Sequence, residues 1–378
     1  MPDSSKDEDW RRTDVSKLNL AVFSPALNGA NAAALSGEGL PEGVIFCSLD
    51  EAIQRYPDLV REHLAEGGNK FAELNSALWS HGAFVYVPPD VEVRTPLVAT
   101  YAGVGSQESG VGAALFPRTL VIVDRGGSLV FVDHFGDASS DSRLPTPDSQ
   151  AAFSGATTQV VAKEGARLQY VSLQERGQQT WHFSRECAIV ERDAKVDFVI
   201  AALGGFLSKS YVETVLAGPG SEANLVGLVL TDGVQHIDHQ TLQDHRAPHT
   251  TSNLLLKSAV KGHSQSIFAG LVRMPKEAQQ SDAFQEARAL LLSEHAKADA
   301  IPKLEITAND VRCTHAGAIG QVDAEQKFYL QSRGIPEDEA ERLIVTGFFE
   351  PALDRIPVES VRENTRKALA HRLEVLHA

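Results

Sequence analysis

Cys313 and His315, in the stretch VRCTHAG, are the residues of this chain whose types and spacing could hold iron, zinc or a cluster. Side chains on an extended strand repeat every two residues. Val311, Cys313 and His315 would therefore share one face, with thiol and imidazole roughly 6–7 Å apart. A cluster normally takes four ligands, typically thiolates. The chain has only Cys47, Cys187 and Cys313, scattered far apart, so it cannot supply them. Any cluster held here must draw its remaining ligands from elsewhere, and another subunit is the natural source. The plainer alternative is a small buried thiol beside a structural histidine.

The densest titratable run is HIDHQTLQDHRAPH, with His236, His239, His245 and His249. Neutral imidazoles are common ligands for zinc or iron. The spacing is not that of a helical HExxH site, and a strand would divide these side chains between two faces, so a solvated polar ladder is the more ordinary reading. Other constellations are missing: no P-loop, no GxSxG elbow, and no GxGxxG opening a helix. The glycine-rich stretch from Gly103 to Gly112 lies among strands and reads as a loop. Asp137 and Asp141 fall in a Ser/Asp/Pro-rich segment and make no credible acid–base pair.

The elements that must position these residues can be read from periodicity. Leu304 and Ile306 alternate with Lys303, Glu305 and Thr307, as in a half-buried strand. After Gln321 the pattern turns helical: Asp323 can cap, Phe328, Tyr329 and Leu330 cluster, and Gly334 stops the helix. Before this handover, from Gly82 to about Met274, nearly every segment is a short apolar run broken by Gly, Asp or charged pairs. Five stretches look alike, among them TLVIVDRGGSLVFVDHF and ECAIVERDAKVDFVIAALGG: strand, charged or Gly turn, small residue, strand. Such self-similarity suggests coils stacked as a β-helix or other solenoid, with a β-sandwich or jelly roll as rival. The fold class expected is mainly β, with helical parts at both ends. Residues 1–80 are expected to form a disordered tail (to about Ser16) and a small helical subdomain, 81–305 the β core, and 306–378 a C-terminal segment. In the last of these, Ala340, Leu343, Ile344 and Phe348, then Val361, Leu369, Leu373 and Leu376, repeat at helical spacing.

Composition bounds the function. The hydrophobic fraction of 43% and charged fraction of 22% are those of an ordinary globular protein. No apolar run approaches the ~20 residues a membrane span needs. The net charge of −15 argues against nucleic acid, which calls for basic clustering. Sparse cysteine and a first segment, MPDSSKDEDWRR, without a signal-peptide profile lead to the expectation of a reducing cytoplasm.

PKLEITANDVRCTHAGAIGQVDAEQKFYLQSRGI closely resembles the C-terminal signature of the SufB/SufD family of iron–sulfur cluster assembly proteins. SALWSHGAFVYVPPDVEVRTPL and HIDHQTLQDHRAPHTTSNLLLKSAVKGHSQSIFAGLVRM fit it as well, so the likeness runs from about Asn75 onward. Within the family, Cys-x-His is the pattern of the SufD branch, where SufB chains carry Glu-His-Glu. The resemblance implies a right-handed parallel β-helix flanked by helices. It also implies a non-catalytic scaffold that pairs with a SufB-like subunit through the β-helix and binds a SufC-like ABC ATPase through the helices from about Pro336 to Ala378. His315 would then be the functional residue, and Cys313 a less certain contributor, at a site where a nascent iron–sulfur cluster is assembled between subunits. The chain alone would hold no cluster stably, and it could form a homodimer. Two other readings remain: a homodimeric metal-binding β-helix protein using the histidine cluster, and a polysaccharide-active β-helix enzyme, for which neither a carboxylate-lined groove nor a secretion signal is evident.

Overall fold

The computed structural model describes residues 2, 7–25, 33–64, 68–79, 81–103, 112–137 and 152–377. Most of the Ser/Asp/Pro-rich segment with Asp141, and most of the glycine-rich stretch after Gly103, lie outside the described residues.

The β region is a parallel solenoid of about six turns, which excludes the sandwich and jelly roll. From the strand Pro117–Val123 onward, successive strands alternate between an 11-stranded and a 9-stranded sheet, and each pairs in parallel with the strand two places later until the last two. Identical positions of successive coils therefore stack. Phe131, Tyr170, Phe198, Leu225 and Leu254 form one such column, running on to Gln285 and His315. The core lies between the two sheets, where inward residues such as Val85, Val121, Val160 and Ala188 face Phe131, Tyr170 and Phe198. Both faces of most strands are covered, which explains near-continuous apolar runs in place of clean alternation.

The charged or glycine turns are the corners. In six successive coils one corner residue has a left-handed backbone: Gly126, Gly165, Asp193, Gly220, His249 and Gln280, with φ from 54° to 74°. Glycine enters this region freely, whereas other residues are strained there.

Among the described residues three α-helices precede the solenoid: α1 (Leu49–Arg55), α2 (Pro57–His63) and α3 (Lys70–Leu78). Ser48 caps α1 by accepting from Glu51 N at 3.2 Å. Asn75 of α3 donates to Pro117 O and Gly155 O, fixing the helix to the first sheet, and Phe71 stacks on Phe183 with centroids 3.8 Å apart. The expectation of disorder up to Ser16 is corrected from Asp7 onward: Trp10, Thr13, Val15 and Leu18 are buried against this same face. Polar composition hid three apolar anchors spaced along an otherwise charged strap.

Three helices follow: α4 (Ala324–Ser332), α5 (Glu337–Leu353) and α6 (Glu359–His377). Asp323 caps α4 as expected, and Gly334, at φ 86°, ends it. The buried face of α5 is Ala340, Val345, Phe349 and Leu353, while Leu343, expected inside, is 43% exposed. With Val361, Leu369 and Leu373 of α6, it packs on Val171, Val199, Val226 and Leu255 of the outer face of the second sheet. Lys257 donates to Phe348 O, and Lys261 pairs with Glu341 at 3.0 Å.

Candidate functional site

The solenoid ends in a rung made of Lys297–Ile306 in one sheet and Arg312–Gln321 in the other. The core thus continues past the expected boundary at 305, and Cys313 and His315 lie on its last strand. Each strand is the terminal member of its sheet, so each presents an unpaired edge. The connection is stitched to the coil before it: Thr307 N donates to Met274 O at 2.8 Å, Gln280 N to Asp310 O at 2.6 Å and Arg312 N to Ser281 O at 3.0 Å.

Among the described residues no further coil covers the inward face of this rung, and Leu304, Ile306 and Ile319 are 39%, 38% and 45% exposed. Cys313 and His315 alternate with solvent-side residues on the same strand, so they share the inward face, as the spacing predicts. Their environments differ. Cys313 is half-buried against Val272, Met274, Ala278 and Ala283. Burial, with the Asp282 carboxylate second, pushes its thiol up to about 11, so it is a protonated thiol at neutral pH until a metal or base takes the proton. His315 is exposed. It stacks in register on Gln285 of the preceding coil, whose Nε2 donates to Gly270 O at 3.2 Å and whose Oε1 has no partner among the described residues. No third His, Cys, Asp or Glu among the described residues joins the pair in a metal-holding group.

The histidine run does not converge. His236 faces outward, its Nε2 3.0 Å from Thr13 Oγ1. His239 and His245 point into the solenoid, and burial drives each imidazole down to about 4, so both are neutral. His245 is held by Thr250 at 2.7 Å and Ser252 at 2.8 Å. His249 occupies the exposed left-handed corner. Strand alternation and a corner send the four to three places, and neither a shared metal site nor a solvated ladder describes them.

Sequence reading missed Gln285, the open apolar rung and an outward buried pair, Lys209 with Asp238, both under 2% exposed. Gln285 was within reach: counting one coil back from His315 lands on it, once the coil length is known.

Two family models match: "SUF system FeS cluster assembly, SufBD core domain" over residues 104–348, and "SufBD protein N-terminal region" over residues 4–98. The chain belongs to the SufB/SufD family. It is 31% identical over 329 residues to the iron–sulfur cluster assembly protein SufB of Bacillus subtilis, covering 86% of this chain and 68% of that one. Identity and coverage are the same with an iron–sulfur cluster assembly SufBD family protein of Staphylococcus epidermidis. This SufBD chain is thus a SUF-system cluster assembly protein, and no helix among the described residues is long and apolar enough to cross a membrane.

Proposed function

We propose that this SufBD chain is the SufD-type scaffold of its system, a non-catalytic subunit that pairs through its last rung with a SufB-like chain in the cytoplasm. His315, with Cys313 beside it, contributes to an assembly site shared between the two, where the iron–sulfur cluster is cargo. The observation that carries this reading is the open rung: two unpaired edges, an apolar inner face, and a two-ligand pair, with no third ligand and no covering coil among the described residues. An edge strand is a template for another chain, and continuing both sheets across the junction would cover Leu304, Ile306 and Ile319. The exposed histidine is the more available ligand, whereas the half-buried thiol must first lose a proton. Cys-x-His in VRCTHAG supports the SufD assignment over SufB.

The ATPase partner, a SufC-like ABC protein, docks in this reading on the helices from about Pro336 to Ala378, with α4 beside α5 extending that face. Tyr329 and Leu343, 57% and 43% exposed, line a notch there with Asp323, Gln326, Leu330 and Ile344, and Phe328 of α4 is 70% exposed. An apolar patch with a polar rim is the usual form of a docking face.

His315→Ala is expected to leave the fold and the complex with both partners intact while cluster loading, followed by visible absorption and iron and sulfide content, is lost. Normal loading would end the site assignment. Cys313→Ala should give a smaller loss.

A further inference from the structure

The inside of the solenoid carries a row of polar groups that cluster assembly on the last rung does not use. Asp133 is fully buried and accepts from Thr158 and Tyr170, both at 2.8 Å, and from Thr119 at 3.1 Å. One position further along the column of Thr158 stands Glu186, 2% exposed, with Ser172 Oγ 3.4 Å and Ser184 Oγ 3.3 Å from its carboxyl oxygens. Ser184 is in turn 2.8 Å from Ser210 Oγ. Ser210 is in register with His239, Thr241 with Gly270, and Gln285 with His315 on the open rung. All of these side chains share the inward parity of core residues Ala188, Val212, Ile237 and Ala287.

Several of these groups have no protein partner among the described residues: both ring nitrogens of His239, Thr241 Oγ1, Gln285 Oε1 and Ser266 Oγ. His239 is 1% exposed and Gln285 0%. Buried polar groups are almost always hydrogen-bonded, and when protein does not supply the partner, enclosed water commonly does. These orphans occupy inward positions of the coils between Ser210 and the open rung, where enclosed water can partner them. A guest there has to be small, neutral and able to both donate and accept, because His239 itself is uncharged and hydroxyls line the way.

We propose that the solenoid interior is a proton relay, in which Glu186 and Asp133 hold protons and a row of hydroxyls, imidazole and enclosed water connects them to the open rung beneath His315. When Glu186 releases its proton, Ser184 accepts it while passing its own to Ser210, and the next carriers are water and His239. A carboxylate remains on Glu186, bonded by Ser172 and Ser184, and uptake from the open rung reverses each step. One proton moves and nothing is oxidised or reduced. Burial holds Glu186 up to about 8 and Asp133 up to about 6, so the first is protonated at neutral pH and the second titrates nearby. The other titratable groups facing them are Tyr101 and Tyr170, raised by burial, and His182 and His239, lowered by it. The relay stands whether or not His315 meets a cluster.

Infrared spectroscopy of the whole chain tests this. Near neutral pH a protonated-carboxyl carbonyl band is expected that Glu186→Gln removes. On transfer to D2O this band should shift rapidly, while backbone amides of the strand Thr180–Val190 remain protected. Gln285→Leu and His239→Leu should abolish the rapid phase. Ser210→Ala, a smaller change, should do the same if either of those variants fails to fold. No protonated band, or a band that exchanges only in step with the Thr180–Val190 amides, would overturn the relay, and rapid exchange surviving in the folded variants would overturn its route.

Discussion

Lys209 and Asp238 are the most deeply buried charges on the outer face of the first sheet, 0% and 1% exposed at the side chain. Neither would be buried without the N-terminal strap. Lys209 donates to Asp9 O at 2.7 Å and lies 4.8 Å from the Trp10 ring, and Thr13 donates to Asp238. Removing one member of a buried pair strands the other charge, at about 3–5 kcal/mol, whereas an apolar replacement of both is often nearly neutral. Lys209→Ala is therefore expected to lower unfolding free energy by that amount in urea titrations and to expose Trp10. Lys209→Met combined with Asp238→Leu should recover most of the loss. A single-mutant cost below about 1 kcal/mol, the range of exposed pairs, would mean that the strap does not seal this site. None of this was legible in sequence. Asp238 sits inside HIDH, where metal chemistry draws the eye. Its partners are one coil away and some two hundred residues away, and only tertiary contact brings them together. Cys313 and His315 could be placed on one face because that inference needs nothing beyond strand parity.

Elements were more legible than contacts because the solenoid repeats its local chemistry. Corner residues and apolar strand runs recur in each coil, so the repeat survives without a strict motif, and helix caps at Ser48 and Asp323 are local devices that announce themselves. The coil length was harder, since connections of different length interrupt the repeat, and without it no residue could be assigned a vertical neighbour. The corner column supplies a test at this scale. His249 has φ 60° in a position where its vertical neighbour Gly220 has φ 74°. An L-residue there costs about 1–2 kcal/mol, part of which glycine gives back through chain entropy. His249→Gly is expected to raise stability by up to about 1 kcal/mol in thermal unfolding and to leave metal content unchanged. Loss of stoichiometric metal from that variant would revive the histidine-cluster reading. On the opposite side, Phe349 is the buried anchor of α5 against the second sheet. Phe349→Ala should cost about 3–5 kcal/mol and make α5 and α6 the first segments cut by protease. Leu343→Glu, at an exposed position, should leave stability unchanged while weakening ATPase binding.

At the scale of the whole molecule, burying titratable groups between two sheets makes stability depend on pH from both sides. His182, His239 and His245 are neutral inside, driven down to about 3, 4 and 4 from an ordinary value of 6.5. The unfolded chain binds their protons first, so their contribution is present above pH 6.5 and is lost as pH falls towards 4, and towards 3 for His182. Glu186 acts in the opposite sense. Its folded value of about 8 exceeds the ordinary 4.5, so the folded state retains a proton that the unfolded chain releases, and stability falls as pH rises from 4.5 towards 8. Asp133 adds a smaller effect of the same sign, ending near pH 6. By about pH 7.5, one unit above the ordinary histidine value, only about a tenth of the unfolded chain's histidines still hold a proton, which leaves Glu186 as the main contributor between there and pH 8. Unfolding free energy from urea titrations should therefore decline across that window, by at most about 1.4 kcal/mol per pH unit for one group. In Glu186→Gln the decline should disappear, while the acid limb set by the histidines stays. An unchanged alkaline slope in that variant would show that Glu186 is ionised in the native interior.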